Sequence, residues 1–231
     1  MKKLWKLVEK VMPGYALVPL IFCFTYNCLV YEGAMMITKN WTHYDLTMGV
    51  DRAVPFVPWW IYIYFICYAF WAANYVLVAR VSDREQFFRF VTAELMSKTV
   101  CLIFFLVLPT TNVRPAVTGT DFASDLMRML YTIDAPANLF PSIHCLVSWF
   151  CWIGIRGNKR VPAAYRIFSL VFALAVCAST QFTKQHYIVD VAGGLLLAEG
   201  AWWLAARVQL RVWVQQFFTR MNNRLKYAGL E

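Results

Sequence analysis

Charged residues are scarce in this 231-residue chain, at 15% against the roughly 25% usual in soluble domains. With 60% of its residues hydrophobic, the chain is neither an ordinary soluble domain nor a charge-rich disordered segment. Acidic residues are the scarcer sign, 13 against 22 Lys and Arg, which leaves a formal net charge of +9. Histidines number three, so any imidazole chemistry must come from His43, His144 or His186. The seven cysteines form no CxxC pair, and no His or Cys cluster has metal-ligand spacing; zinc-ribbon and dithiol redox chemistry are thereby excluded. Those cysteines fall in or beside apolar runs and read as small buried side chains. There are no internal repeats, low-complexity stretches or linkers, so residues 1–231 read as a single membrane-embedded domain.

What the chain has instead is apolar runs arranged in blocks. Runs near residues 15–36, 59–79, 92–109, 140–155, 166–182 and 187–207 approach the roughly 20 residues that a membrane-crossing helix needs. Unpaired backbone is not tolerated in lipid, so the runs must be helices. The expected class is all-α, a polytopic bundle of six transmembrane helices. The fourth and fifth runs are short, so their ends must sit inside the protein or tilt. The basic residues then sort by side. One side takes Lys2, Lys3, Lys6, Lys10, Arg80, Arg84, Arg89, Arg156, Lys159, Arg160, Arg166, Arg207, Arg211, Arg220, Arg224 and Lys226. The other takes only Lys39, Arg52, Arg114, Arg128 and Lys184. The positive-inside rule makes the first side cytoplasmic, with both termini there. The net charge is therefore a topology signal and an attraction to anionic lipid heads, not a nucleic-acid patch. The flanks 1–12 and 208–231 read as amphipathic helices on the cytoplasmic surface. Glu94 and Lys98, at i and i+4 in the third run, can pair along one helix face, with Lys98 snorkelling toward the near interface.

Three segments converge on the outer side: TNVRP at 111–115, NLFPSIH at 138–144 and STQFTKQHYIVD at 179–190. In the second, Pro141 suits the first turn of a helix. Ser142 and the unpaired N–H groups of that turn make an anion site, and His144 beside them can donate a proton. In the third, His186 and Asp190 share a helix face, where a carboxylate can fix the tautomer of a nucleophilic imidazole. In the first, the Arg114 guanidinium matches phosphate oxygens in two-point geometry. Taken singly, each segment has a plainer reading: a helix start, a helix-stabilising pair and an interfacial arginine. Together they point to one phosphate site.

The combination resembles the type 2 phosphatidic acid phosphatase superfamily, whose pattern runs KxxxxxxRP, PSGH and SRxxxxxHxxxD. Arg114-Pro115 match the end of the first element. Pro141, Ser142 and His144 match the second, with Ile143 in place of glycine, and Ser179, His186 and Asp190 match the third. The resemblance implies that His186 attacks phosphorus to form a phosphohistidine, oriented by Asp190, while His144 protonates the leaving oxygen. It implies that Arg114, Ser142 and Ser179 hold the phosphoryl group and that neither metal nor other cofactor is required. Two cationic positions depart from the pattern, being occupied by Val107 and Thr180; Lys184 or Arg128 is placed to supply the missing charge. PSIH with HYIVDV also looks like the inositol phosphorylceramide and sphingomyelin synthase branch, which transfers a head group. The expectation is a lipid phosphate phosphatase of the cell membrane, its site facing the extracytoplasmic side. The alternatives are a head-group phosphotransferase and a non-catalytic lipid-binding or transport protein. Substrate lipid and bilayer are the implied partners.

Overall fold

The computed structural model describes residues 9–227. Residues 1–8 of the expected N-terminal amphipathic helix lie outside the described part, and its residues 9–11 are helical. The chain is mostly helical. In order come α1 (Leu17–Thr38), β1 (Tyr44–Asp45), α2 (Gly49–Ala53), α3 (Ile61–Val81), α4 (Arg84–Val107), β2 (Thr110–Thr111), α5 (Phe122–Ile133), α6 (Ile143–Ile153), α7 (Ala163–Phe182), α8 (Ile188–Ala205) and α9 (Leu210–Tyr227).

Five of these segments, 14–38, 58–81, 84–107, 163–182 and 188–205, are long and apolar enough to cross a membrane. The fourth expected span is shorter than the others: α6 has 11 residues, about 16 Å of helix. It lies inside the bundle, packed against α3, α7 and α8, so protein rather than lipid covers its ends. The third span begins earlier than hydropathy alone indicates. Asp83 caps it by accepting from the Gln86 N–H at 2.7 Å, which adds a polar first turn that a hydropathy window misses. As a result Glu94 and Lys98 lie well inside α4 rather than near its end. Lys98 does not snorkel; it is 1% exposed and pairs with Glu94 at 3.1 Å.

The core is organised around α4. It packs against α1 on one side and α8 on another, with α9 laid across its first turns. Phe87, Phe88, Phe90 and Phe105 of α4 are fully buried, and so is Phe150 of α6, whose ring packs on Phe90. Arg89 donates to the carbonyl of Trp202 near the end of α8, so the first turns of α4 meet the last turns of α8. At the other end of the bundle, α4 runs into β2 and then Arg114. Two residues of β2 pair in parallel with β1, tying the 39–57 loop to the segment that carries Arg114. Thr110 Oγ1 then accepts from the N–H groups of Leu139 and Phe140. That short register is what brings the approach to α6 beside the end of α4.

Two adjacent glycines let α8 lie close to the start of α6. A Cβ on Gly194 would stand 2.7 Å from the carbonyl oxygen of Ser142, and one on Gly193 would meet the Phe140 ring at 2.5 Å. A ring can turn aside, whereas a backbone carbonyl moves only with its helix. Gly194→Ala is therefore expected to lower stability by about 1–3 kcal/mol and to misplace the α6 start, costing turnover about 10²-fold. Gly193→Ala should be milder on both counts. Melting and turnover of the two purified variants, side by side, test the contrast.

Candidate active site

The segments 111–115, 138–144 and 179–190 come together at the end of the bundle where α4 and α7 finish and α6 and α8 begin. Ser142 is the N-cap of α6, its hydroxyl accepting from the Cys145 N–H at 3.3 Å. The helix starts at Ile143, so Pro141 precedes it rather than sitting in its first turn. The N–H groups of Ile143 and His144 fall in that first turn, where no intrahelical acceptor reaches them. Ser142 N–H in turn donates to the backbone carbonyl of Asp190 at 3.1 Å. One hydrogen bond thus joins the two histidine-bearing segments, across the contact that Gly194 keeps narrow.

His186 stands in the tight turn between α7 and α8, two residues before α8 begins. It does not share a helix face with Asp190 as their spacing predicts; the two meet because Asp190 lies in the first turn of α8 and reaches back. The carbonyl of Thr180 accepts from both Gln185 and His186 N–H groups, at 2.9 and 3.1 Å, and Lys184 closes the turn with φ 53°. Asp190 is the third residue of α8, and its carboxylate accepts from the Tyr187 N–H at 2.8 Å. The same carboxylate oxygen, Oδ2, lies 3.5 Å from His186 Nδ1. This leaves Nε2 as the ring nitrogen directed away from the acid. Burial by itself favours the neutral imidazole, but the Asp190 carboxylate more than offsets it and holds the His186 pKa above its ordinary value.

His144 and His186 face each other with ring centroids 5.7 Å apart. An aromatic wall from α3 backs His144: Tyr64 lies at 4.6 Å and Trp71 at 5.4 Å between centroids. The Tyr68 hydroxyl is 3.1 Å from His144 Nε2. Arg114 reaches the same turn. It donates to the Gln185 side-chain oxygen at 2.7 Å and to the Asp134 carbonyl, with Tyr131 under the guanidinium at 4.8 Å. Among the described residues, three buried nitrogens have no aligned hydrogen-bond partner here: Arg114 Nε, Gln185 Nε2 and His186 Nδ1. The His186 Nδ1 faces the Asp190 carboxylate at a distance longer than a hydrogen bond, whereas buried polar groups are nearly always satisfied, so the spare Arg114 and Gln185 donors beside His186 suit an anionic ligand.

The other expected phosphate contacts are placed differently. Ser179 is fully buried and its hydroxyl donates to the Val176 carbonyl of its own helix at 2.7 Å. The Lys184 ammonium donates to the carbonyls of Asp51 and Val54, which ties the turn that carries His186 to α2. Arg128, on α5, is held by Asp125 of the same helix and by the Val117 and Gly119 carbonyls of the loop before it. Val107 is 76% exposed, and the Thr180 hydroxyl donates to the Cys177 carbonyl. His43 stays in the 39–57 loop, its Nδ1 3.0 Å from the Trp41 carbonyl.

Several contributors carry no motif that a sequence reading could find. Asp51 caps its own short helix and also accepts from the Ile188 N–H at 2.8 Å, the first residue of α8. Asp134 accepts from the Tyr31 hydroxyl at 2.6 Å and lies close enough for its charge to act on His186. Gln185 gives Arg114 its partner. The one hint was position, since Gln185 adjoins His186 in sequence.

Among the described residues, no three His, Cys, Asp or Glu side chains gather into a metal-holding group. Neither a curated protein nor a solved structure matches the chain. A family model described as the PAP2 superfamily matches residues 34–204, a stretch that runs from late α1 to the end of α8 and includes Arg114, His144, His186 and Asp190. By that match, and by the order in which its two histidines and its aspartate meet, the chain belongs to the PAP2 superfamily.

Proposed function

We propose that this protein is an integral membrane lipid phosphate phosphatase that works through a phosphohistidine on His186. Membership of the superfamily supports a phosphatase or phosphotransferase type of lipid enzyme. The observation that carries the finer reading is the 5.7 Å approach of His144 to His186, with spare donors of Arg114 and Gln185 beside them. In the first step His186 Nε2 attacks phosphorus and the P–O bond to the lipid alcohol breaks. His144 gives that departing oxygen its proton, while Arg114 and the N–H groups of Ile143 and His144 hold the phosphoryl oxygens. Asp190 keeps the imidazole oriented and stabilises the cationic phosphoimidazole. In the second step His144 takes a proton from water, which attacks phosphorus and frees Nε2. The reading includes six crossings with α6 as the inner one, both termini cytoplasmic and the site on the extracytoplasmic side of the cell membrane.

Purified protein in nanodiscs, given ³²P-labelled phosphatidate or a polyprenyl phosphate with EDTA present, tests this. Release of inorganic phosphate, with an acid-labile and base-stable phosphoprotein trapped during turnover, is the expected result. A second reading, head-group transfer, is favoured by Thr180, whose buried hydroxyl stands where the phosphatase pattern has arginine. It predicts a labelled lipid product when an alcohol acceptor is added and little free phosphate. Neither product, with cellular function retained by His186→Gln, would leave the non-catalytic reading.

The raised pKa of His186 sets a pH dependence. Attack needs the neutral ring, so kcat/KM falls as pH drops through the His186 pKa. Asp190→Asn removes the charge that raises it, so this acid limb should move to lower pH. The plateau should drop about 10⁴-fold, as when an orienting acid is lost from a triad. A limb that stays in place would show that Asp190 does not act on the attacking imidazole.

A further inference from the structure

The arginine-rich end of the bundle, opposite the histidines, carries a groove of about 350 Å³ between the start of α4 and the helix α9. Its lining is Arg84, Gln215, Gln216, Thr219 and Arg220, two guanidiniums, two amides and a hydroxyl with no acid among them. Arg84, the first residue of α4, is positioned by donating to Thr219 Oγ1 at 2.8 Å. The acids next to it are committed elsewhere: Glu85 pairs with Arg211, and Asp83 accepts from the Gln86 N–H.

α9 has a second face with a different chemistry. Phe218 is buried against Phe22 and Phe88, and that contact seats the helix on the bundle. Leu210, Trp213 and Phe217, at i, i+3 and i+7, form an exposed apolar stripe, Trp213 at 66% and Phe217 at 55%. A stripe of that kind beside membrane-crossing helices lies in the interface, with its aromatic rings among the acyl chains. Helical spacing places Gln216 and Arg220 next to Trp213 and Phe217. Polar groove and apolar stripe therefore share an edge at Arg220. A ligand that fits both has an anionic head for the two arginines and an apolar body for the tryptophan and phenylalanine.

We infer that this groove is a binding site for the head group of an anionic phospholipid, separate from the catalytic site and independent of it. The guanidiniums take the phosphate oxygens, the Gln215, Gln216 and Thr219 side chains bond the remaining head-group oxygens, and the acyl chains run along Trp213 and Phe217.

The test uses the full-length protein in nanodiscs of phosphatidylcholine with a minor fraction of phosphatidylglycerol. It reads the lipid that remains bound after transfer to detergent, by native mass spectrometry. Wild type should retain phosphatidylglycerol and not phosphatidylcholine. Arg84→Gln/Arg220→Gln should retain about tenfold less or lower still, and Trp213→Ser/Phe217→Ser should also lose it. His186→Gln should retain as much as wild type, whatever its turnover, which separates this site from the catalytic reading. If the double arginine variant does not fold, Arg220→Gln alone carries the test, since Arg220 is exposed. Equal retention by wild type and the arginine variants would overturn the assignment. So would displacement of the lipid by inorganic phosphate alone, which would mark a soluble-anion site.

Discussion

Replacing His186 with glutamine is expected to lower turnover by about 10⁴-fold or more, the scale seen when a covalent nucleophile is lost. Glutamine can still hydrogen-bond but cannot form the N–P bond. The turn should survive, because it is held by the His186 and Gln185 backbone N–H groups on Thr180 rather than by the ring. Melting should therefore be close to wild type while the trapped phosphoprotein disappears. His144→Gln separates the two imidazoles. Its loss is expected to be about 10²–10⁴-fold for an alkyl phosphate, whose leaving oxygen needs a proton. For a nitrophenyl phosphate ester the loss should be far smaller, because that oxygen departs without help. The measurement is kcat/KM for both substrates in both variants. A His186→Gln protein that still turns over, or one that shares the leaving-group dependence of His144→Gln, would reverse or dissolve the assigned roles.

The features that could be read from the chain are those fixed by local spacing. His186 and Asp190 at i and i+4 announce their own contact, and Ser142 before an apolar run announces a helix start. The long apolar runs give the helices. What spacing cannot encode is the length of a helix whose first turn is polar, as with Arg84 to Arg89 at the start of α4. It also cannot encode a cap supplied from far away, as Asp51 supplies one to α8 across 137 positions of chain. Lys184 shows the same limit from the other direction. Its place two residues before His186 suggests a phosphate contact, yet its ammonium bonds the carbonyls of Asp51 and Val54. The His186 turn is thus pinned to α2 and the residue after it by three hydrogen bonds, two from the Lys184 ammonium and one from the Ile188 N–H to the Asp51 carboxylate. None has a sequence signature, because Asp51 and Val54 belong to α2 and its end, whose place in the 39–57 segment depends on the two-residue pairing of β1 with β2. Arg114 falls between these cases: RP marks it, but its contact with Gln185 follows only from the fold.

Lys98→Met should be the most damaging single change outside the site, because it leaves Glu94 charged and nearly alone in the interior. The two side chains are 1% and 3% exposed, and Glu94 has one further partner, the Tyr75 hydroxyl. Breaking a buried pair from one side typically costs about 3–5 kcal/mol, since the surviving charge loses its counterion and does not regain water. For a chain of this size that corresponds to a fall of about 10 °C in melting midpoint. Removing both charges has the opposite logic. In Glu94→Leu/Lys98→Met no ion is stranded, apolar side chains of similar size fill the space, and the desolvation cost of both ions is gone. Adding Tyr75→Phe removes the hydroxyl that Glu94 would otherwise leave unpaired. The triple variant is therefore expected to melt within a few degrees of wild type, and the Lys98→Met single variant far below it. Lys98, the nearer member of the pair, lies nine residues before the end of α4, about 14 Å along the helix, too far to touch a phosphate held by His186. Turnover by the triple variant then decides what the pair is for. Activity near wild type identifies it as a device that fixes the register of α4, whereas a stable but inactive protein would show that an ion pair inside the bundle takes part in the reaction.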